Sequence, residues 1–166
     1  LRAGKYDGWL PDLFLGKRLW GGTLGIVGAG RIGSAYAKML APGHELDVLY
    51  WDVEDRPELE SFFAGYSELN AAHGGRRLTC RRAESVASLF RESDIISLHT
   101  PLLPETRHPV NSETLALMKT DPVLVNTSRG PAPDSAALAA HPTPHPALPA
   151  RPVGVETEPE TAPALL

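Results

Sequence analysis

The chain has one cysteine, Cys80, in 166 residues, so no internal disulfide can form and the fold must rest on a packed core. A single thiol leaves the redox compartment undecided, though a reducing one fits. No apolar run approaches the roughly 18–20 residues of a membrane span, so no membrane partner is expected. Positive charge is not in excess either. Sixteen Lys and Arg against 20 Asp and Glu give a net charge of −4, which argues against nucleic acid as a partner. The chain opens on Leu1 rather than Met, and nothing before Gly16 resembles a secretory signal. It ends in Ala164-Leu165-Leu166, not the Ser-Lys-Leu peroxisomal address. A fragment of a longer protein is therefore the expectation, with its compartment open.

What is present suits one soluble domain with a sizeable core, since 42% of the residues are hydrophobic. Residues 1–20 mix Trp9, Leu13, Phe14 and Trp20 with glycine, proline and charge. They read as a linking segment whose aromatics pack on something else. Thr23 to Val27 reads as a short buried strand. Residues 31–41 read as a helix with Ile32, Ala35, Tyr36 and Met39 on its apolar face, closed by Pro42-Gly43. Leu46 to Trp51 reads as a second strand, completing a βαβ unit.

Beyond it the alternation is less clean. Glu58 to Asn70 fits a helix behind Pro57, Gly74 to Arg77 a loop, and residues 84–92 a short helix. Ile95 to Leu98 then makes the next strand, ending at His99. Asn111-Ser112 caps a helix through Met118, and Val123 to Val125 forms a strand ending at Asn126. Asp134 opens a short helix through Ala140. Nine of the 16 prolines fall between Pro131 and Pro163, so residues 141–166 read as an extended or disordered tail. The fold class expected for residues 21–140 is α/β: a doubly wound, parallel Rossmann sheet with helices on both faces.

The chemistry centres on Gly28-Ala29-Gly30-Arg31-Ile32-Gly33. A strand must turn sharply there into a helix whose free N–H groups can hold a pyrophosphate. Gly28 permits the turn, Gly30 lets the phosphates approach the backbone, and Gly33 lets the helix sit close to the strand. Asp52 follows Gly33 by 19 residues at the end of the second strand, where its carboxylate would accept from ribose hydroxyls. Taken alone, the glycines would be a convenient helix entry and Asp52 a solvated acid. Together they predict NAD as the cofactor. Asp52 would repel a 2′-phosphate, and Arg56 close behind it could soften that preference. No metal site is expected.

Four segments carry a family resemblance: Arg2 to Pro11, Gly28 to Tyr36, Ser97 to Leu102, and Val125 to Pro131. They resemble the D-isomer-specific 2-hydroxyacid dehydrogenases. Within that family the plant and algal hydroxypyruvate reductases (glycerate dehydrogenases) are most alike, through Gly8 to Phe14, Gly33 to Ala37 and the insertion near residues 57–82. The likeness covers residues 1 to about 140.

It implies the cofactor domain of a two-domain enzyme, with the substrate domain absent from this chain. It also implies a homodimer bridged partly through residues 1–15, a small 2-keto or 2-hydroxy acid as substrate, and a peroxisomal or cytoplasmic location. Arg129 matches the family's catalytic arginine, which grips a carboxylate through two parallel hydrogen bonds. Asn126, Thr127 and Ser128 match the stretch beside the nicotinamide. Thr100 and Pro101 match the loop near the adenosine ribose, and His108 a structural position. His99 lies where the family does not place its acid, so it reads as a packing residue. Glu158, before Pro159 and 29 residues after Arg129, is the expected partner of the catalytic histidine, with Glu156 as the alternative. The histidine itself is expected outside this chain, since His141 and His145 precede Glu158 in the proline-rich stretch. Two functions follow: reduction of hydroxypyruvate or a close 2-keto acid with NADH, or a dinucleotide-binding module without turnover.

Overall fold

The structure is a computed structural model describing residues 17–101, 109–128 and 134–140. The elements run β1 (Thr23–Val27), α1 (Arg31–His44), β2 (Asp47–Trp51), α2 (Pro57–Ala72), β3 (Cys80–Arg82), α3 (Val86–Glu92), β4 (Ile95–Leu98), α4 (Ser112–Ala116), β5 (Val123–Asn126) and α5 (Ser135–Ala140). The five strands pair in parallel in the order β3-β2-β1-β4-β5. This is the doubly wound α/β arrangement expected. The chain winds outward from β1 to β3, then crosses to β4 on the other side of β1, which makes the β1/β4 boundary the topological switch point.

Strand alternation divides the core into two layers. Leu24 and Ile26 of β1, Val48 and Tyr50 of β2, and Ile95 of β4 pack with Ala37 and Ala41 of α1 and Leu59 and Phe63 of α2. Val27, Leu49, Ile96 and Leu98 point the other way, onto Leu89 and Phe90 of α3 and Leu115 of α4. Each fully buried aliphatic or aromatic side chain contributes roughly 1.5–3 kcal/mol of transfer free energy.

Several sequence expectations need correction. The apolar stripe assigned to α1 is not its buried face: Ile32 and Met39 are 72% and 73% exposed. Gly33, Ala37 and Ala41 are buried instead. Small residues at four-residue spacing let the helix lie close on the sheet, which bulky ones would prevent. The helix also runs past Pro42 to His44. Proline in the last turn removes only one donor, and the end is closed by Leu46 N–H on the Ala41 carbonyl (2.9 Å) and Glu45 N–H on the Pro42 carbonyl (3.3 Å), with Glu45 left-handed at φ 49°. The helix capped by Asn111 stops at Ala116 rather than Met118. The strand Cys80–Arg82 was not expected at all. It is three residues long, carries two arginines, and lies at the sheet edge, where no apolar period marks it.

Arg129, His108, Pro131, Glu156, Glu158, His141, His145, the segment 1–15 and the tail 141–166 lie outside the described residues.

Candidate functional site

The carboxyl ends of β1, β2, β4 and β5 converge on one crevice. Gly28 N–H bonds the Trp51 carbonyl at 2.9 Å and His99 N–H bonds the Val27 carbonyl at 2.8 Å, so the three loops leaving β1, β2 and β4 start side by side. Gly28 sits at φ +91°, where L side chains are strained, and a Cβ there would lie 2.9 Å from the His99 carbonyl group. At Gly33 a Cβ would lie 2.1 Å from the Gly28 carbonyl oxygen. Both glycines are required by backbone contact. Gly30 differs, because a Cβ there would meet nothing within 4 Å. Among the described residues its Cβ position is open space.

Gly30 is the N-cap of α1, with no side-chain cap and no acid in the first turn. Among the described residues, then, nothing caps the N–H groups or compensates the positive dipole end of the helix start, the chemistry of an anion cradle. Ser34 Oγ donates to the Ala29 carbonyl at 2.7 Å and holds the loop in shape. Arg31 and Ile32 are exposed at the first turn.

Asp52 closes β2 and is only 7% exposed. Its Oδ1 accepts from Arg56 Nη2 at 3.0 Å and from Glu54 N–H at 3.3 Å. Among the described residues nothing bonds Oδ2. Arg82 donates to the Asp52 carbonyl at 2.7 Å and pairs with Asp55, so the unexpected strand β3 fixes the turn after β2. Only pairing along the sheet brings Arg82 there, and no sequence spacing announces it.

Across the crevice, Thr100 is 6% exposed and its hydroxyl is buried, without a hydrogen-bond partner among the described residues. An orphaned buried hydroxyl beside a glycine loop suits a polar ligand group. Pro101 is exposed next to it. At the end of β5, Asn126 is 3% exposed and its Oδ1 accepts from Ser128 N–H (3.0 Å) and Ser128 Oγ (2.8 Å), shaping the turn. Thr127 is exposed, with its hydroxyl 3.4 Å from His99 Nδ1.

His99 packs as expected. Its Nε2 lies 2.9 Å from Ser97 Oγ, and its ring meets Tyr36 at 5.1 Å between centroids. Burial lowers the imidazole pKa, which holds the ring neutral. Tyr36, with its phenol pushed up by burial, and Ser97 complete a polar seam under the glycine loop. The seam was not expected, although Tyr36 belonged to one of the familiar segments.

The arrangement can hold an anion at α1, a hydroxylated ring at Asp52, and a polar group at Thr100 and Asn126. These groups stand at the carboxyl ends of strands on both sides of the β1/β4 switch point, where open α/β sheets bind their ligands.

Residues 1–143 match the family described as "D-isomer specific 2-hydroxyacid dehydrogenase, NAD binding domain". The chain is 50% identical over 141 residues to "Glycerate dehydrogenase" of Cucumis sativus, covering 85% of this chain and 37% of that protein. It is 48% identical over 141 residues to "Glycerate dehydrogenase HPR, peroxisomal" of Arabidopsis thaliana, covering 85% and 36%. Among solved structures, the D-lactate dehydrogenase of Aquifex aeolicus complexed with NAD and lactic acid superposes with TM-score 0.59 at 38% identity, covering 75% of this chain and 32% of that one. The NAD-complexed D-isomer specific 2-hydroxyacid dehydrogenase of Lactobacillus delbrueckii gives TM-score 0.60 at 30% identity, covering 80% and 34%. The chain thus spans about a third of the length of these relatives.

Proposed function

Because the chain belongs to the D-isomer specific 2-hydroxyacid dehydrogenase family, through its NAD-binding domain, we propose that it is the NAD(H)-holding part of an oxidoreductase that reduces hydroxypyruvate, or a closely related 2-keto acid, to the D-hydroxy acid. One observation carries the site reading: the uncapped glycine loop of α1 opens onto the same crevice as the buried carboxylate of Asp52. Backbone N–H groups at Gly30, Arg31, Ile32 and Gly33 would hold the pyrophosphate. Asp52 Oδ2 would accept from the adenosine ribose hydroxyls. Thr100 and Pro101 would flank that ribose, and Asn126, Thr127 and Ser128 the nicotinamide end.

NADH, when bound, supplies the hydride. Arg129 follows this last turn and would grip the substrate carboxylate and polarise the ketone. Glu158 is the proposed support of the proton-donating histidine, with Glu156 as its alternative. The similarity to glycerate dehydrogenases supports the choice of hydroxypyruvate. The name of the Arabidopsis relative supports a peroxisomal compartment. A homodimer of the longer protein remains part of the proposal, as do a linking segment 1–20, a Rossmann domain 21–140 and a tail 141–166.

A second reading, made of these 166 residues by themselves, is cofactor binding without turnover: they span 37% of the first relative's length. Reduction needs substrate positioning as well as a bound cofactor. NADH binding by fluorescence, measured beside NADH oxidation with hydroxypyruvate, separates the readings. Binding with turnover supports the enzyme, binding alone supports the module, and absence of binding overturns both.

A further inference from the structure

His99 stands where β4, α1 and the turn after β5 meet. Its backbone belongs to the frame of the sheet. Its N–H bonds the Val27 carbonyl at 2.8 Å, and its own carbonyl lies against Gly28. The imidazole is held on two sides. Nε2 lies 2.9 Å from the Oγ of Ser97, a fully buried residue of β4. The ring packs on Tyr36 of α1, with 5.1 Å between centroids. The other nitrogen, Nδ1, reaches out of this frame to the Thr127 hydroxyl, 3.4 Å away. Thr127 is exposed. The bonds from Ser128 to Asn126 Oδ1 fix the backbone of its turn but do not reach its hydroxyl. Burial keeps the imidazole neutral, and a neutral ring has one donor and one acceptor nitrogen. It can therefore serve both hydroxyls at once.

We propose that His99 is a positioning residue for the nicotinamide half of the cofactor, holding the Thr127 hydroxyl in register with the glycine loop. The inference rests on the reading of the turn after β5 as the nicotinamide end. A threonine hydroxyl exposed to water samples several rotamers, and a ligand that bonds it must bear the entropy of fixing it. A hydroxyl bonded to a ring already wedged between α1 and β4 is fixed before the ligand arrives. The same ring leans on α1, whose first turn is the anion cradle, so both ends of the dinucleotide are referred to one frame. The contacts of the ring lie on α1, β4 and the turn after β5, whereas Asp52 closes β2. A change in the ring that spares the backbone should therefore move the nicotinamide half more than the adenosine half.

Two substitutions split the contacts of the ring. Glutamine places its amide where Nε2 stands and keeps Ser97. Asparagine places its amide where Nδ1 stands and keeps Thr127. The 166-residue chain is titrated with NADH and with ADP by calorimetry, and the anisotropy of dihydronicotinamide fluorescence is read at saturation. His99→Gln should lower the ratio of NADH to ADP affinity about threefold to tenfold, the scale of one neutral hydrogen bond, and should lower the anisotropy. His99→Asn should hold the ratio within about twofold of wild type. Stability should run in the opposite order, because Asn gives up the contact to buried Ser97 and Gln the contact to exposed Thr127. Equal ratios in the two variants, each with the circular dichroism of wild type, overturn the inference and leave NADH binding intact. If His99→Gln does not fold, His99→Asn decides, and a ratio lowered about threefold or more overturns it. If His99→Asn does not fold, Thr127→Val is combined with His99→Gln. Their losses should then be less than additive, and full additivity overturns the inference. A wild-type chain that binds ADP as tightly as NADH overturns the nicotinamide placement and this inference with it. One that binds neither overturns the cofactor reading of the crevice as well.

Discussion

At the scale of single residues, three glycines in one loop do three different jobs. Alanine at position 33 would drive Cβ to 2.1 Å from a carbonyl oxygen, so Gly33→Ala should lose about 1–3 kcal/mol of stability along with NADH affinity. Gly30→Ala meets only open space, so its stability should change by no more than about 1 kcal/mol. Its NADH affinity should nonetheless fall about tenfold or more, because the methyl would stand where phosphate must approach the backbone. Urea melts beside fluorescence titrations distinguish the two. Equal losses of affinity and stability at Gly30 would refute a ligand cradle there. His99 makes a second residue-scale prediction. Its imidazole pKa is lowered by burial, so the unfolded chain takes up the proton first as pH falls. The neutral ring's stability is therefore complete above pH ~6.5 and is lost as pH drops from there toward the lowered folded pKa. His99→Gln, which can still bond Ser97, should flatten the change in unfolding free energy between pH 7 and pH 5.

At the scale of elements, the amino-terminal edge of the sheet is fastened by Asp94. Its carboxylate takes Thr23 N–H at 3.0 Å, Lys119 at 2.8 Å and Lys17 at 3.4 Å. Its backbone bridges Thr23 of β1 and Val123 of β5. Burial pushes the Asp94 pKa up, but the Lys119 and Thr23 bonds and both lysine charges outweigh it, and the net shift is downward. The carboxylate therefore contributes stability above the usual carboxylate range and loses it as pH falls through the lowered folded value. Asp94→Asn should cost about 1–3 kcal/mol at neutral pH in urea melts and soften the acid limb of the stability curve. NADH affinity should hardly change, since the site lies at the other end of the strands, roughly 13–16 Å away.

This edge was invisible in the sequence, where Asp94 was only the residue before a strand. Elements with an internal signal were legible. β1 was read to the residue from its apolar run between glycines, and α2 from Pro57 and its length. The glycine loop and Asp52 were legible because a spacing of 19 residues follows from one strand, one turn and one helix. What could not be read depends on partners distant in sequence. β3 exists because Asp47 holds Thr79 N–H at 2.7 Å and pairs with Arg76. The inward face of α1 was misread because the sheet selects small residues where hydrophobic periodicity points to Ile32 and Met39.

For the molecule as a whole, the sheet has two halves that meet only where β1 pairs with β4. One half carries Gly28, Gly30 and Asp52, and the other carries Thr100 and Asn126. ADP would reach the glycine loop, Asp52 and the Thr100 loop after β4, whereas NADH would extend to the β5 loop as well. At a hundredfold excess over its dissociation constant, either ligand adds about 2.7 kcal/mol through mass action, worth roughly 5–10 °C in Tm for a chain of this size. At matched saturation, then, the two should shift Tm alike. The difference should appear in where amide exchange slows: β1, α1, β2 and β4 with ADP, and β5 in addition with NADH. Exchange measured by mass spectrometry on the free, ADP-bound and NADH-bound chain would show it. Protection confined to β1, α1, β2 and β4 under NADH would mean that Asn126 takes no part. The dinucleotide would then be held by its adenosine half alone.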